Sequence, residues 1–138
     1  MTKADCVFCA IVDGRLPAAK VREDEMTLAL IANEPATNGH TLVIPKRHAR
    51  NLFDIAVPDL HAVIVAAKAI AKLQRDRLHC DGVSLYQANE EAGFQTVFHL
   101  HLHVVPRYRG DTVVRAWRAN PVALTELEAI ARRLREPL

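Results

Sequence analysis

Three histidines alternate with apolar residues in Val97-Phe98-His99-Leu100-His101-Leu102-His103-Val104-Val105-Pro106, and this row carries the chemistry of the chain. Side chains of an extended strand alternate in direction, so His99, His101 and His103 are expected on one face, rooted about 6.7 Å apart. Phe98, Leu100, Leu102 and Val104 are then expected in the core. Two chemistries suit such a row. One is metal ligation by neutral imidazoles. The other is covalent catalysis, with one imidazole as nucleophile and its neighbours as orienter and proton donor. An imidazole with a pKa of about 6.5 is largely neutral at pH 7. Phosphorus is a natural target, because a phosphorylated imidazole leaves readily in a second displacement. Just upstream, Gly93-Phe94-Gln95-Thr96 offers an amide and a hydroxyl beside the histidines. With backbone N–H groups at a loop-to-strand junction, these suit phosphate oxygens.

Cys6 and Cys9 stand at metal-knuckle spacing. Zinc would need two more ligands to close a tetrahedral site, and His48 and one triad histidine are the candidates. A redox pair is the other reading of the spacing, but such a motif follows a strand and opens a long helix, whereas this pair lies at the N-terminus. Cys80 has no partner by spacing and reads as a buried thiol.

These residues need elements to hold them. Residues 6–14 read as a short helical turn closed by Gly14, and 20–22 with 26–32 as a hairpin bending at 23–25. Residues 35–39 have the composition of a loop, and 40–45 form a β-rich run stopped by Pro45. Pro58 opens the longest helix, with Leu60, Val63, Ile64, Ala67, Ile70, Ala71 and Leu78 on a 3.6 period. A turn at 81–82, a strand at 83–88, a loop at 89–93 and a long strand at 96–106 follow. A last helix is predicted from Thr125, as N-cap with Glu128 three residues on, to about Arg135. Hairpins with one long helix inserted predict an antiparallel α+β domain.

The chain has 138 residues, the size of one domain, with no repeat, linker or low-complexity tract. Hydrophobic residues make up 50% and charged residues 25%, a balance that excludes a disordered chain. A net charge of +2 excludes a duplex-binding stripe while leaving room for small anionic ligands. No apolar run nears the ~20 residues of a membrane span. The N-terminus lacks a signal-peptide apolar stretch, and 3 cysteines argue against a disulfide framework, so a reducing cytoplasm is the expected location.

His99-Leu100-His101-Leu102-His103-Val104-Val105 resembles the signature of the histidine triad (HIT) superfamily. His40-Thr41-Leu42-Val43-Ile44-Pro45-Lys46-Arg47-His48 is similar to its central strand, and Cys6-Val7-Phe8-Cys9-Ala10-Ile11 to the opening of its bacterial members. The resemblance spans residues 6 to about 109, and residues 110–138 form a C-terminal extension of the single domain. It implies an antiparallel sheet of about five strands packed by helices. It also implies a homodimer across the long helix and the following strand, and a purine nucleotide whose phosphate lies over the histidines. His101 takes the role of nucleophile at the α-phosphorus of a nucleoside phosphoramidate or related ester. His103 contacts phosphate and assists the leaving group, and His40 is a further active-site histidine. Thr96 stands where the family places a phosphate-binding hydroxyl. Cys6, Cys9, His48 and His99 correspond to the ligands of a structural zinc.

Three positions depart from the family. Ala32 replaces the aspartate that holds the ribose, which leaves Asn33 or Glu34 to substitute. Phe94 replaces a glycine of the phosphate loop. Ala88 replaces a phosphate-reaching amide, with Asn89 one residue later. The expected function is therefore a nucleotidyl-histidine hydrolase acting on purine nucleoside phosphoramidates. Hydrolysis of diadenosine polyphosphates or other nucleotide esters is one alternative, and a nucleotide-binding module with negligible turnover is another. Use of all three histidines as ligands of a catalytic metal is disfavoured by the lack of carboxylates on the triad strand.

Overall fold

The computed structural model describes residues 3–113 and 118–137. Trp117, a candidate for shaping the leaving-group side, lies outside them. A single 3-10 turn at Lys3–Asp5 leads into helix α1 (Val7–Val12). Strands β1 (Lys20–Glu23), β2 (Thr27–Ile31) and β3 (Thr41–Pro45) follow, then helix α2 (Val57–Leu78), β4 (Gly82–Tyr86), β5 (Leu102–Arg107) and helix α3 (Leu124–Arg135). The five strands form one sheet in the order β1-β2-β3-β5-β4, with every neighbouring pair antiparallel. Since β5 is antiparallel to both β3 and β4, those two strands run the same way. Strands of one direction need a long crossover, and α2 supplies it.

Both faces of the sheet centre are covered, which explains the unbroken apolar runs of β2 and β3. Ala29 and Val43 face α2, packing with Val63, Ala66, Ala67, Ile70, Leu100 and Val104. Leu28, Leu30, Leu42 and Ile44 face the other way, onto Cys6, Phe8, Cys9 and Ile11. The alternation along β5 thus sends Val104 to the α2 side and leaves the imidazoles for the α1 side. The buried carboxylate of Asp59, in the first turn of α2, accepts 2.7 and 2.8 Å bonds from Arg47. That pair ties the helix to the end of β3, one residue before His48.

The α2 stripe divides. Val63, Ala67 and Ile70 are buried within the protomer, whereas Ile64 is exposed together with Val65. The strand expected over 96–106 is shorter than its sequence pattern, since β5 begins only at Leu102. Ladder pairing with β3 ends at Val43↔Leu102 because side chains take over. The Pro45 carbonyl accepts from the His99 ring at 2.8 Å, and the Leu100 N–H donates to the Ala49 carbonyl at 2.8 Å. Phe98 does not enter the core. It is half-buried, with the Arg50 guanidinium 4.2 Å above its ring.

Helix α3 starts one residue earlier than predicted. The Ala123 carbonyl takes the first-turn N–H groups of Glu126 and Leu127, so Thr125 lies inside the helix and does not cap it. Leu124, Leu127, Ile130 and Leu134 line one side of α3 and are exposed. No helix among the described residues is long and apolar enough to cross a membrane.

Candidate active site and metal centre

The three triad histidines part company. His99 is fully buried and turns to the N-terminal cysteines, while His101 and His103 remain together with ring centroids 5.0 Å apart. Hydrogen bonds fix the tautomer of each ring. The Nδ1 of His101 lies 2.8 Å from the carbonyl oxygen of His99. A carbonyl only accepts, so His101 Nδ1 carries the proton and Nε2 keeps a bare lone pair. The orienting carbonyl belongs to the same segment, two residues back, and not to a neighbouring strand or loop, because the chain between His99 and His101 is free of the ladder.

His40 orients His103 by the same logic. The Ala36 N–H donates to His40 Nδ1 at 2.9 Å, which puts the His40 proton on Nε2. That proton is donated to His103 Nδ1 at 2.8 Å, leaving the His103 proton on its own Nε2. A bare imidazole nitrogen thus stands beside an imidazole N–H. Gly39, the residue before His40, takes φ +93°, a conformation that favours glycine, and a Cβ there would displace the Leu78 side chain. Phe8 lies edge-on to His99 and His101 at 5.7 and 5.3 Å, and the Tyr86 ring is 5.6 Å from His103.

Burial is the main influence on these groups, and it favours the neutral rings. It lowers His40 and His101, and pushes His103 down to about 4, aided by the charges of His101 and His40. Between pH 6.5 and 4 the unfolded chain binds protons at these rings that the folded chain refuses, so stability falls on acidification through this window. Unfolding free energies from urea titrations at pH 7 and pH 4.5 should differ by of order 1–2 kcal/mol more in wild type than in a His103→Asn variant. Equal differences would count against this account.

The second cluster joins the ends of the domain. The ligating atoms of Cys6, Cys9, His48 and His99 all lie within 4.8 Å of one another. His99 Nδ1 is 3.3 Å from Cys6 Sγ and 3.6 Å from Cys9 Sγ, and His48 Nδ1 is 3.3 Å from Cys9 Sγ and 3.2 Å from His99 Nδ1. A tetrahedron with Zn–S of about 2.3 Å and Zn–N of about 2.05 Å has edges of roughly 3.3–3.8 Å, which these distances match. His99 donates its Nε2 proton to Pro45, so its Nδ1 lone pair faces the cluster, held there from outside as metal-ligating imidazoles are. The donor set fits a soft, four-coordinate cation and leaves no ligand position open. Without one, burial and then the Cys6 thiol push Cys9 up to about 11, and burial pushes His99 down to about 4.

The proposed phosphate loop is welded to the segment after His48. Arg50 grips the Glu90 carboxylate at 3.0 and 2.7 Å, and Asn51 Nδ2 adds a 2.8 Å bond. Chiefly through Arg50, these contacts hold Glu90 at about 2. The Gln95 amide is fully committed. Its oxygen accepts from the Glu90 N–H and from Asn51, and its nitrogen donates to the Arg50 and Val97 carbonyls. Asn89 is likewise engaged, accepting from the Leu52 N–H at 2.7 Å and exchanging bonds with Gln87. Gln95 and Asn89, both expected on phosphate, therefore build the loop. The exposed Thr96 hydroxyl has no hydrogen bond among the described residues. Asn33 is exposed just beyond β2, next to buried Ala32. Arg50 and Glu90 carry no signal in the sequence, because a pair 40 residues apart leaves no local pattern.

The HIT domain family matches residues 13–110. A solved structure of SMU.412c from Streptococcus mutans is 37% identical, with 96% of this chain and 85% of that one aligned at a TM-score of 0.91. A zinc-bound histidine triad family protein from Mycobacterium smegmatis is 39% identical over 94% of this chain and 99% of that one, at a TM-score of 0.78. A histidine triad nucleotide-binding protein from Candida albicans is 27% identical, with 94% of each chain aligned and a TM-score of 0.84.

Proposed function

Since the chain belongs to the HIT domain family, we propose that it is a purine-nucleotide hydrolase working through a nucleotidyl-histidine on His101. The observation that carries this reading is the pair of opposed tautomers, a bare Nε2 on His101 beside an Nε2–H on His103.

In the proposed reaction, His101 Nε2 attacks the α-phosphorus of a nucleoside phosphoramidate and forms a P–N bond. The bond to the leaving amine breaks, and its electron pair stays on the amine nitrogen. An anionic phosphate next to His103 favours a cationic His40–His103 pair, so the pair takes up a proton as substrate binds, the bond between the two rings rearranging, and His103 passes its Nε2 proton to the departing amine. Water then attacks the nucleotidyl-histidine, its proton goes to His103, and the P–N electron pair returns to His101 Nε2 with release of the monophosphate. Thr96 and the N–H groups around it bind phosphate oxygens, and Asn33 reaches the ribose. His40 holds the His103 tautomer.

Cys6, Cys9, His48 and His99 hold zinc in this reading. The metal would supply structural cross-linking only. The zinc-bound relative and the tetrahedral edge lengths support it.

The decisive experiment incubates the protein with adenosine phosphoramidate, quenches in the pre-steady state and maps the adduct. An adenylyl mass on His101 supports the mechanism. Tight AMP binding with no adduct and no turnover would leave a nucleotide-binding module.

A homodimer is part of the proposal. Ile64 and Val65 on α2 and Leu85 on β4 are 48%, 64% and 50% exposed, an uncovered apolar area continuous across two elements. Light scattering at micromolar concentration should give about twice 15.4 kDa, and a value near 15.4 kDa would remove the dimer.

A further inference from the structure

Two residues other than glycine sit at positive φ in the loop before the triad: Glu90 (φ 62°, ψ 167°) and Phe94 (φ 69°, ψ 25°). Glu90 is explained within the chain. Its carboxylate is gripped by Arg50 and Asn51, and its N–H by Gln95. Phe94 has no such explanation. Its N–H closes a turn onto the Glu91 carbonyl, a bond that any residue with a backbone N–H would make. Its side chain is 80% exposed, and its ring meets no other ring or cation among the described residues. A glycine would take this backbone without strain and would expose no apolar ring. Strain kept at a functional loop with no structural return points to a ligand.

The backbone that carries the ring is held in place. Gln95, the next residue, is anchored by bonds to Glu90, Asn51, Arg50 and Val97, so the backbone bearing Phe94 is fixed. Two residues on lies Thr96, the proposed phosphate hydroxyl. The loop enters from β4, at one edge of the sheet, whereas Asn33, the proposed ribose contact, follows β2 on the other side of β3 and β5. The loop runs into His99, whose ring is bonded at Pro45, whereas Asn33 follows Ile31, paired with Thr41 at the other end of β3, so Phe94 and Asn33 approach the histidines from opposite ends of that strand.

We infer that Phe94 is a specificity-determining residue that stacks on a planar aromatic leaving group of the substrate. The inference rests on the proposed hydrolase reading and adds the substrate class, nucleotides whose leaving amine carries a flat ring. Stacking on an aromatic side chain gives about a tenfold preference.

The test uses two adenosine phosphoramidates whose amines have matched basicity, one bearing an aromatic ring and one a cyclohexyl group. Wild type should favour the aromatic substrate about tenfold in kcat/KM. Phe94→Gly and Phe94→Leu should bring the ratio to about one, and Phe94→Tyr should keep it. Phe53→Ala, which removes a ring equally exposed at 80% on the neighbouring loop, should leave the ratio as in wild type. Equal cleavage of both substrates by wild type, or a ratio that survives in Phe94→Gly, overturns the inference alone. Cleavage of neither overturns the hydrolase reading and this inference with it.

Discussion

Replacing His101 with glycine is expected to lower kcat on a nucleoside phosphoramidate by roughly 10³-fold or more, because the covalent route disappears with the nucleophile. The loss belongs to chemistry and not to binding. AMP should bind within about 0.5–1.5 kcal/mol of wild type, the worth of one hydrogen bond. The fold should survive, because β5 pairs through Leu102, His103 and Val104 and no ladder bond involves residue 101. The variant leaves the His99 carbonyl without its partner and Phe8 without an edge contact, which costs about 1–3 kcal/mol of stability. His103→Ala should lose less and should depend more steeply on the basicity of the leaving amine, since proton delivery is what it lacks. Retention of more than about a tenth of wild-type kcat by His101→Gly would replace the covalent mechanism with direct attack by water.

Cys9→Ala is expected to strip the metal and to lower the melting temperature by more than about 10 °C, the equivalent of a few kcal/mol. The cluster explains why. The His99 Nδ1 lone pair lies 3.2 Å from His48 Nδ1, with two buried sulfurs beside them. A cation would join these four groups by four bonds, and its loss would leave them only the weaker hydrogen bonds among buried thiols and imidazoles. Binding requires both thiols to ionise, so metal uptake should release protons and weaken on acidification. Elemental analysis of protein made in zinc-replete medium and kept from chelators should find about one zinc per chain. Less than about 0.2 would end the assignment. AMP affinity should change far less than stability, because His101 and His103 are oriented by the His99 carbonyl and by His40, neither through a sulfur.

The site was legible where a side chain announces its chemistry locally. The His99, His101 and His103 alternation and the Cys6, Cys9 spacing are short patterns, and the α+β sheet with its long helix follows from the periodicity. What escaped is set by partners distant in sequence. The strand over 96–106 is cut short because the His99 ring occupies the Pro45 carbonyl, a competition between side chain and backbone that alternation cannot reveal. Gln95 looks like a phosphate ligand from its type and place, yet its amide is consumed by Arg50, Glu90, Asn51 and Val97. The α2 stripe is one continuous pattern, yet the fold buries Val63 and Ile70 and leaves Ile64 out. A periodicity reports apolar faces without saying what will cover them.

The contact between Cys6 and His99 spans 93 residues of sequence. Translation proceeds from the N-terminus at about 5–20 residues per second, so a nascent chain exposes both N-terminal thiols for roughly 5–20 s before its triad segment is even synthesised. During that interval the thiols lack His99, and for its first part His48 as well, so oxidation competes with assembly. If the four groups hold zinc, assembly of this site would thus depend on the reducing power and free metal where the chain is made, at a moment before His101 and His103 exist.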